Sequence, residues 1–270
     1  MTVDKEHTPA ISPQAGEDRA FVTALARGLE LLSCFRSGNR ALGNQELAQR
    51  CKLPKSTVSR LTYTLTRLGY LVQVPDSGKF RLGTATLSLG SNMLARMDVR
   101  RVARPFMQEL ANFAHGMVSL GARDRLSIIY VETCRSSATL TLNAEIGSRL
   151  QISNSAIGRA YLAAVSEQER GEIMNQIKDL DDMAWPKTQS GIEKAVEDYR
   201  TLGVACSFGD WQEDVNGIAR AFSPGDGLPL MVINCGGPSF TLSRDFLLQD
   251  VRPRLIDISD KIENILTGHR

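Results

Sequence analysis

Between positions 52 and 81 the chain concentrates cations and hydroxyls in a pattern suited to non-covalent recognition of nucleic acid. If Val58, Leu61, Leu65 and Leu68 line the buried side of a helix, the opposite side shows Lys55, Ser56, Thr57, Ser59, Arg60, Tyr63 and Arg67. A helix in a DNA major groove needs such a set. Arginine donates two bonds to guanine, hydroxyls reach base edges or phosphates, and a cation near either end holds the backbone. The N-terminal turn enters the groove first, which gives Lys55 to Arg60 most of the reading. Lys79 and Arg81, on a predicted hairpin, reach flanking phosphates. Lys52 adds a further phosphate contact.

Covalent chemistry has no comparable support. The histidines are His7, His115 and His269, and none accompanies a nucleophile in a known pattern. There is no Gly-x-Ser-x-Gly elbow and no Gly-rich phosphate loop. Cys34, Cys51, Cys134, Cys206 and Cys235 lie too far apart in sequence for zinc-ligand spacing. Their odd number argues against a disulfide framework and for buried thiols. No catalytic residue, metal or cofactor is therefore expected.

The elements that must position the cationic helix follow from local signals. Residues 1–18, polar with Pro9 and Pro13, read as a disordered tail. A helix over about 21–36 places Val22, Leu25, Leu29, Leu32 and Phe35 on one face, and Ser37–Gly38–Asn39 ends it. A short helix starts at Asn44 as N-cap and covers Gln45 to Arg50. After the turn Cys51–Lys52–Leu53, Pro54 takes the first position of the next helix, where its missing N–H costs nothing. That helix runs to Leu68, with Gly69 as a left-handed cap. Strands at Tyr70–Val74 and Lys79–Leu82 flank Pro75–Asp76–Ser77–Gly78, a run of turn residues. Helix, helix, turn, helix, hairpin is the order of a winged helix-turn-helix. A connector helix over about 85–101 follows. The expected division is a tail (1–18), a DNA-binding domain (19–84), a linker helix (85–103) and a second domain (104–270).

Charge supports the assignment. The formal net charge is only +2, but residues 19–101 hold 14 Lys/Arg against 4 Asp/Glu, a net of +10. Residues 1–18 carry −3 and residues 102–270 carry −5. A basic module on an acidic body is the electrostatic footprint of a nucleic-acid binder. With no signal-peptide pattern and no apolar run of bilayer length, the chain reads as cytoplasmic.

The second half alternates strand and helix signals. A helix is predicted after Arg104, with Pro105 in its first turn and Phe106, Leu110 and Phe113 inward. Strands follow at 117–123, 126–133 and 138–143, then a helix over 156–165. Ser166 and Glu169 form a capping box for another helix. A helix over 191–202 ends at Gly203, and strands follow at 204–208, 216–222 and 229–235. A final helix aligns Leu247, Val251, Leu255, Ile258, Ile262 and Ile265. Antiparallel strands flanked by helices indicate an α+β domain. The turn Ala156–Ile157–Gly158 offers helix N-terminal amides that suit a small acid. Arg220 would pair with a carboxylate if it points inward, and strand alternation leaves its face open.

The stretch Glu46-Leu-Ala-Gln-Arg-Cys-Lys-Leu-Pro-Lys-Ser-Thr-Val-Ser-Arg-Leu61, with Leu68-Gly-Tyr-Leu71 and Phe80-Arg-Leu-Gly83, resembles the IclR family of bacterial regulators. Ser155-Ala-Ile-Gly-Arg-Ala-Tyr-Leu-Ala163, Gly217-Ile-Ala219 and Cys235-Gly-Gly-Pro238 are similar to that family's C-terminal motifs. The resemblance spans residues 19–268. It implies a winged helix-turn-helix joined by a linker helix to a GAF-like α+β effector-binding domain. It also implies a homodimer or homotetramer on double-stranded operator DNA, and a small carboxylate effector. On this basis Asp210, Asn234, and Cys235 or Gly236 join Ala156, Ile157, Gly158 and Arg220 as effector candidates. The effector would act by biasing the relative placement of the effector domains, changing the distance between recognition helices through the connector. Two departures stand out. Lys52 occupies a turn position where the family has glycine, and a left-handed lysine there is strained by about 1 kcal/mol. Asn234 and Gly236 stand where small hydroxyl residues line the family's pocket. The competing reading is a winged helix that binds protein instead of DNA, or a ligand-sensing protein without sequence-specific DNA binding.

Overall fold

Leu31, Leu42, Leu47, Val58, Leu71 and Phe80 are at most 8% exposed and form one core. Around it the computed structural model arranges α1 (Thr23–Ser33), β1 (Leu42–Gly43), α2 (Asn44–Cys51), α3 (Lys55–Arg67), β2 (Leu71–Gln73), β3 (Lys79–Leu82) and α4 (Thr84–Ala95). The structure describes residues 20–35, 41–95, 97–137, 144–225 and 227–268. The chain divides into two compact units, residues 1–96 and 97–270. The expected tail over 1–18, the Ser37–Gly38–Asn39 stop and the strand over 138–143 lie outside the described residues. No described helix is long and apolar enough to cross a membrane.

The first unit is a winged helix-turn-helix. Its three strands pair antiparallel in the order β1-β3-β2. Leu71 faces Leu82, and Asp76 and Gly78 adopt left-handed backbone in the hairpin turn. The strand β1 was not expected from sequence. Several expectations shift here. Asn44 is the first residue of α2 and Gly43 its N-cap, with the Gly43 amide donating to Glu46 Oε2 at 2.8 Å. Pro54 is the N-cap of α3 rather than its first residue. The core stripe of α3 is Val58, Leu61, Thr62 and Leu65, because Leu68 falls after the helix end and is 60% exposed. Val22, Leu25 and Leu29 share a face, but that face is exposed, and α1 packs inward through Gly28 and Leu31.

The expected connector helix is two helices. α4 ends at Ala95, and α5 (Asp98–Ala114) begins seven residues before the expected start at Pro105. Pro105 therefore sits inside α5. Proline there removes one backbone bond, yet Val99, Ala103, Met107, Leu110 and Ala114 carry a continuous buried stripe across it. That stripe holds the helix together.

The second unit continues with β4 (Met117–Asp124), β5 (Ser127–Arg135), β6 (Arg149–Gln151), α6 (Ala156–Ala164), α7 (Glu167–Leu180) and α8 (Trp185–Leu202). Then come β7 (Ala205–Phe208), β8 (Val215–Phe222), β9 (Met231–Pro238), α9 (Arg244–Phe246), a π-helical turn (Leu247–Val251) and α10 (Arg252–Thr267). The strands form one antiparallel sheet in the order β6-β5-β4-β9-β8-β7. α6 lies on one face with α8 beside it, and α5 and α10 cover the other. This is the α+β architecture predicted.

Local causes are legible at several ends. Ser166 Oγ accepts from the Glu169 amide at 3.2 Å, so the expected cap of α7 forms. α8 starts at Trp185, earlier than expected, with Pro186 at its start, and ends on left-handed Gly203. The terminal helix is interrupted at Leu247–Val251, where Pro253 cannot donate and a widened turn results. Ile265 leaves the buried stripe and is 54% exposed.

Candidate nucleic-acid interface and ligand site

The turn into α3 depends on Lys52. Its backbone is left-handed (φ 53°, ψ 38°), and the Leu53 amide bonds back to the Ala48 carbonyl at 3.1 Å. The chain thereby reverses within two residues and launches α3 beside α2. Asn44 locks the two helices together. Its amide donates to Ser59 Oγ at 3.4 Å, and its carbonyl accepts from buried Thr62 Oγ1 at 3.2 Å. Nothing in the sequence pattern marked Thr62 for the core. Its one hydroxyl hydrogen is shared between Asn44 and the Val58 carbonyl, the latter at 3.0 Å, which makes it an acceptable core residue.

With that side turned inward, Ser56, Arg60, Tyr63 and Arg67 form one exposed stripe, and Lys52 and Lys55 are exposed at its N-terminal end. Ser59 is exposed with its hydroxyl engaged by Asn44, and Thr57 is half-buried on the shoulder of the stripe. On β3, Lys79 and Arg81 are exposed while Phe80 between them is buried. Lys79 Nζ lies 3.8 Å from Glu46 Oε2, both side chains about half exposed, so that pair holds Lys79 only weakly. The Gly43 amide, more than Lys79, holds the Glu46 carboxyl below the usual carboxylate range. Among the described residues no ion pair engages Arg60.

In the second unit the sheet face toward α6 carries a polar cluster within apolar walls. Ser119 on β4 and Asn234 on β9 are cross-strand partners, 0% and 6% exposed. Tyr130 on β5 is 1% exposed and lies beside both. Burial pushes its phenol well above the ordinary range, and Asn234 and Ser119 offset part of that rise. The approach stabilises charge without reaching full hydrogen-bond geometry, since Ser119 Oγ and Asn234 Oδ1 are buried with no hydrogen-bond partner among the described residues. Arg135, on the same face, likewise has a buried Nε without a partner, while its Nη2 donates to the Ala144 carbonyl. Orphaned buried polar atoms are costly and rare, and a polar ligand is one physical reason to keep them.

Only part of the expected effector set is brought to this face. Ala156 and Ile157 are buried at the start of α6, and a side chain on Gly217 or Gly121 would meet them. Asn234 and Gly236 face α6. Gly158 does not offer its amide, because Ser155 Oγ accepts from it at 3.2 Å. Its role is steric: a Cβ there would lie 2.4 Å from the Ile152 backbone. Arg220 and Cys235 point to the opposite face by strand alternation. Arg220 donates to Asp260 on α10 at 2.9 Å and to the Gly203 carbonyl. Cys235 is fully buried, which pushes its thiol up to about 12. Asp210 accepts from Arg159 Nη1 at 2.8 Å. Arg159, 8% exposed, also donates to the Cys206 and Ser153 carbonyls and so pins α6 to β7. Arg159, Ser119, Tyr130 and Arg135 were missed from sequence. Their only sequence signal is a polar residue inside an apolar strand or helix. Among the described residues, no group of His, Cys, Asp or Glu could hold a metal ion.

The profile described as "IclR helix-turn-helix domain" matches residues 24–75, and "Bacterial transcriptional regulator IclR C-terminal" matches residues 91–264. The chain is 36% identical to the "HTH-type transcriptional regulator TsaQ1/TsaQ2" of Comamonas testosteroni, over 90% of this chain and 88% of that one. It is similar to the crystal structure of an IclR family transcriptional regulator from Brucella abortus, with TM-score 0.85 and 44% identity over 92% of this chain and 94% of that one. The fold is shared with an IclR homologue from Microbacterium hydrocarbonoxydans complexed with 4-hydroxybenzoate, at TM-score 0.69 and 20% identity, covering 91% and 100% of the two chains.

Proposed function

We propose a sensing mechanism from one established premise: the chain belongs to the IclR family of bacterial transcriptional regulators. It is a DNA-binding regulator with a helix-turn-helix and an effector-binding domain, and its relatives are named as regulators rather than enzymes. On our reading, Arg60 and its neighbours Lys55, Ser56, Thr57, Ser59, Tyr63 and Arg67 read base edges. Lys52, Lys79 and Arg81 hold phosphates. Residues 19–84 bind operator DNA, residues 85–103 act as the linker, residues 104–270 bind the effector, and the protein works in the cytoplasm as a homodimer or homotetramer. Exposed apolar side chains at the N-cap of α1 (Val22), on α1 (Leu25, Leu29) and on α4 (Leu87, Leu89, Met93) support self-association.

The observation that carries the effector assignment is the set of orphaned buried polar atoms facing α6: Ser119 Oγ, Asn234 Oδ1 and Arg135 Nε. We assign Arg135 and the amides of Ala156 and Ile157 to a carboxylate, since a helix leaves its first amides without an internal carbonyl. Ser119, Tyr130 and Asn234 take a hydroxyl on the same molecule. A hydroxylated aromatic acid has both ends, and the Microbacterium homologue is solved with such an acid. The effector acts by preferring one arrangement of the effector domains over another, and only that difference in affinity shifts the population.

Two measurements test the proposal. Arg60→Ala, assayed by anisotropy on an operator selected from a random duplex library, loses about 1–3 kcal/mol of sequence discrimination with unfolding unchanged. Wild-type affinity in that variant rejects the reading helix. For the effector, 4-hydroxybenzoate at about 100-fold above its Kd stabilises the folded chain by about 2.7 kcal/mol. Arg135→Gln lowers the affinity. If no hydroxylated aromatic acid moves the unfolding midpoint, the effector class is wrong.

A further inference from the structure

Cys34 and Cys51 are 17 residues apart, yet their sulfurs lie 3.2 Å from each other, joining the end of α1 to the last residue of α2. Cys34 Sγ also lies within donating distance of the Glu30 carbonyl at 3.5 Å, and either thiol can supply the hydrogen between the two sulfurs. Cys34 is half-buried and reachable, while Cys51 is 3% exposed. From this geometry we propose that Cys34 and Cys51 are a hydroperoxide-oxidisable dithiol that closes to an intramolecular disulfide within the DNA-binding unit. Its exposure makes Cys34 the sulfur a hydroperoxide reaches first, and once Cys34 loses its proton the Cys51 thiol donates to it and stabilises the thiolate. The same arrangement and burial push the Cys51 thiol above its ordinary range, which suits the resolving partner.

The chemistry balances in two steps. The Cys34 thiol attacks a hydroperoxide oxygen, the O–O bond breaks, and sulfenic acid and water (or an alcohol) form. The Cys51 thiol then attacks the sulfenic sulfur, the S–O bond breaks, a second water leaves, and the S–S bond forms. Two thiols are oxidised and one peroxide is reduced. The sulfurs close by about 1.2 Å to reach disulfide length. That movement falls one residue before the left-handed turn at Lys52.

The test uses the full, reduced chain treated with hydrogen peroxide, then denatured, alkylated and mapped by peptide mass. Two of the five thiols become unavailable, a peptide joining residues 34 and 51 appears two hydrogens lighter, and dithiothreitol restores both thiols. In Cys51→Ser, oxidation stops at a Cys34 sulfenic acid that dimedone captures. Cys134, Cys206 and Cys235 serve as internal controls. Five alkylatable thiols after treatment overturn the proposal. So does a disulfide between other cysteines, or a Cys34→Ser variant that still loses two thiols.

Discussion

Replacing Lys52 by glycine separates two roles that one residue combines. The backbone at Lys52 (φ 53°) lies in the region that costs an L-residue about 1–2 kcal/mol, and glycine removes that cost. Glycine also frees the unfolded chain, which takes back about 0.4–1 kcal/mol. The net expectation is a gain of about 0.5–1 kcal/mol in the DNA-binding unit. For a unit of this size that is a rise of about 2–8 °C in its melting temperature. The probe must be chosen with care, because both tryptophans, Trp185 and Trp211, lie in the other unit. Calorimetry, or hydrogen exchange of the α2 and α3 amides, reads the right transition. Lys52 also points a cation into solvent beside the reading helix. Removing it releases one fewer counterion, so the slope of log K against log salt becomes shallower by about 0.9. Lys52→Ala is the control: it loses the same slope but keeps the strain. If glycine is no more stable than alanine, the strain account fails. If neither variant changes the slope, Lys52 does not touch phosphate.

Two further substitutions probe the second unit, both followed by tryptophan fluorescence in urea. Gly158→Ala places a methyl group 2.4 Å from the Ile152 backbone, which cannot yield cheaply, and costs about 1–3 kcal/mol; an unchanged midpoint contradicts that packing. Asp210→Asn leaves the Arg159 guanidinium without its carboxylate and costs about 1–3 kcal/mol in the absence of any ligand. A stability equal to wild type would show that this half-exposed ion pair does not hold α6 to β7.

The DNA-binding unit was legible because its signals are local. Lys52, Gly69 and the Pro75–Gly78 turn mark where the chain reverses, and the structure puts left-handed backbone at Lys52, Gly69, Asp76 and Gly78. What sequence misplaced there was rotation. Counting leucines put Leu68 in the core, whereas the core takes Thr62, a hydroxyl that its own helix satisfies. In the second unit the connector was misread because Pro105 looks like a helix start. Nothing local says that a stripe beginning at Val99 outweighs the bond a proline removes.

The ligand face was the least legible part, and the reason is the sheet itself. β9 is buried on both faces, so its alternation reads as one apolar run. On β5 a second effect intervenes. Between Leu120 and Gly121 the β4–β5 register shifts, so Tyr130 and Thr133, three residues apart, face the same side. Counting by twos from Tyr130 would put Glu132 beside it. Instead Glu132, 3% exposed, faces α5 and accepts from Arg100 at 3.0 Å and Arg104 at 2.7 Å. The bulge thus keeps a buried carboxylate off the face that holds Ser119, Tyr130, Asn234 and Arg135. An unbroken register would set that charge against any anionic ligand there, at close range and low dielectric. The irregularity that hides the site from the sequence is what makes its electrostatics fit for an acid.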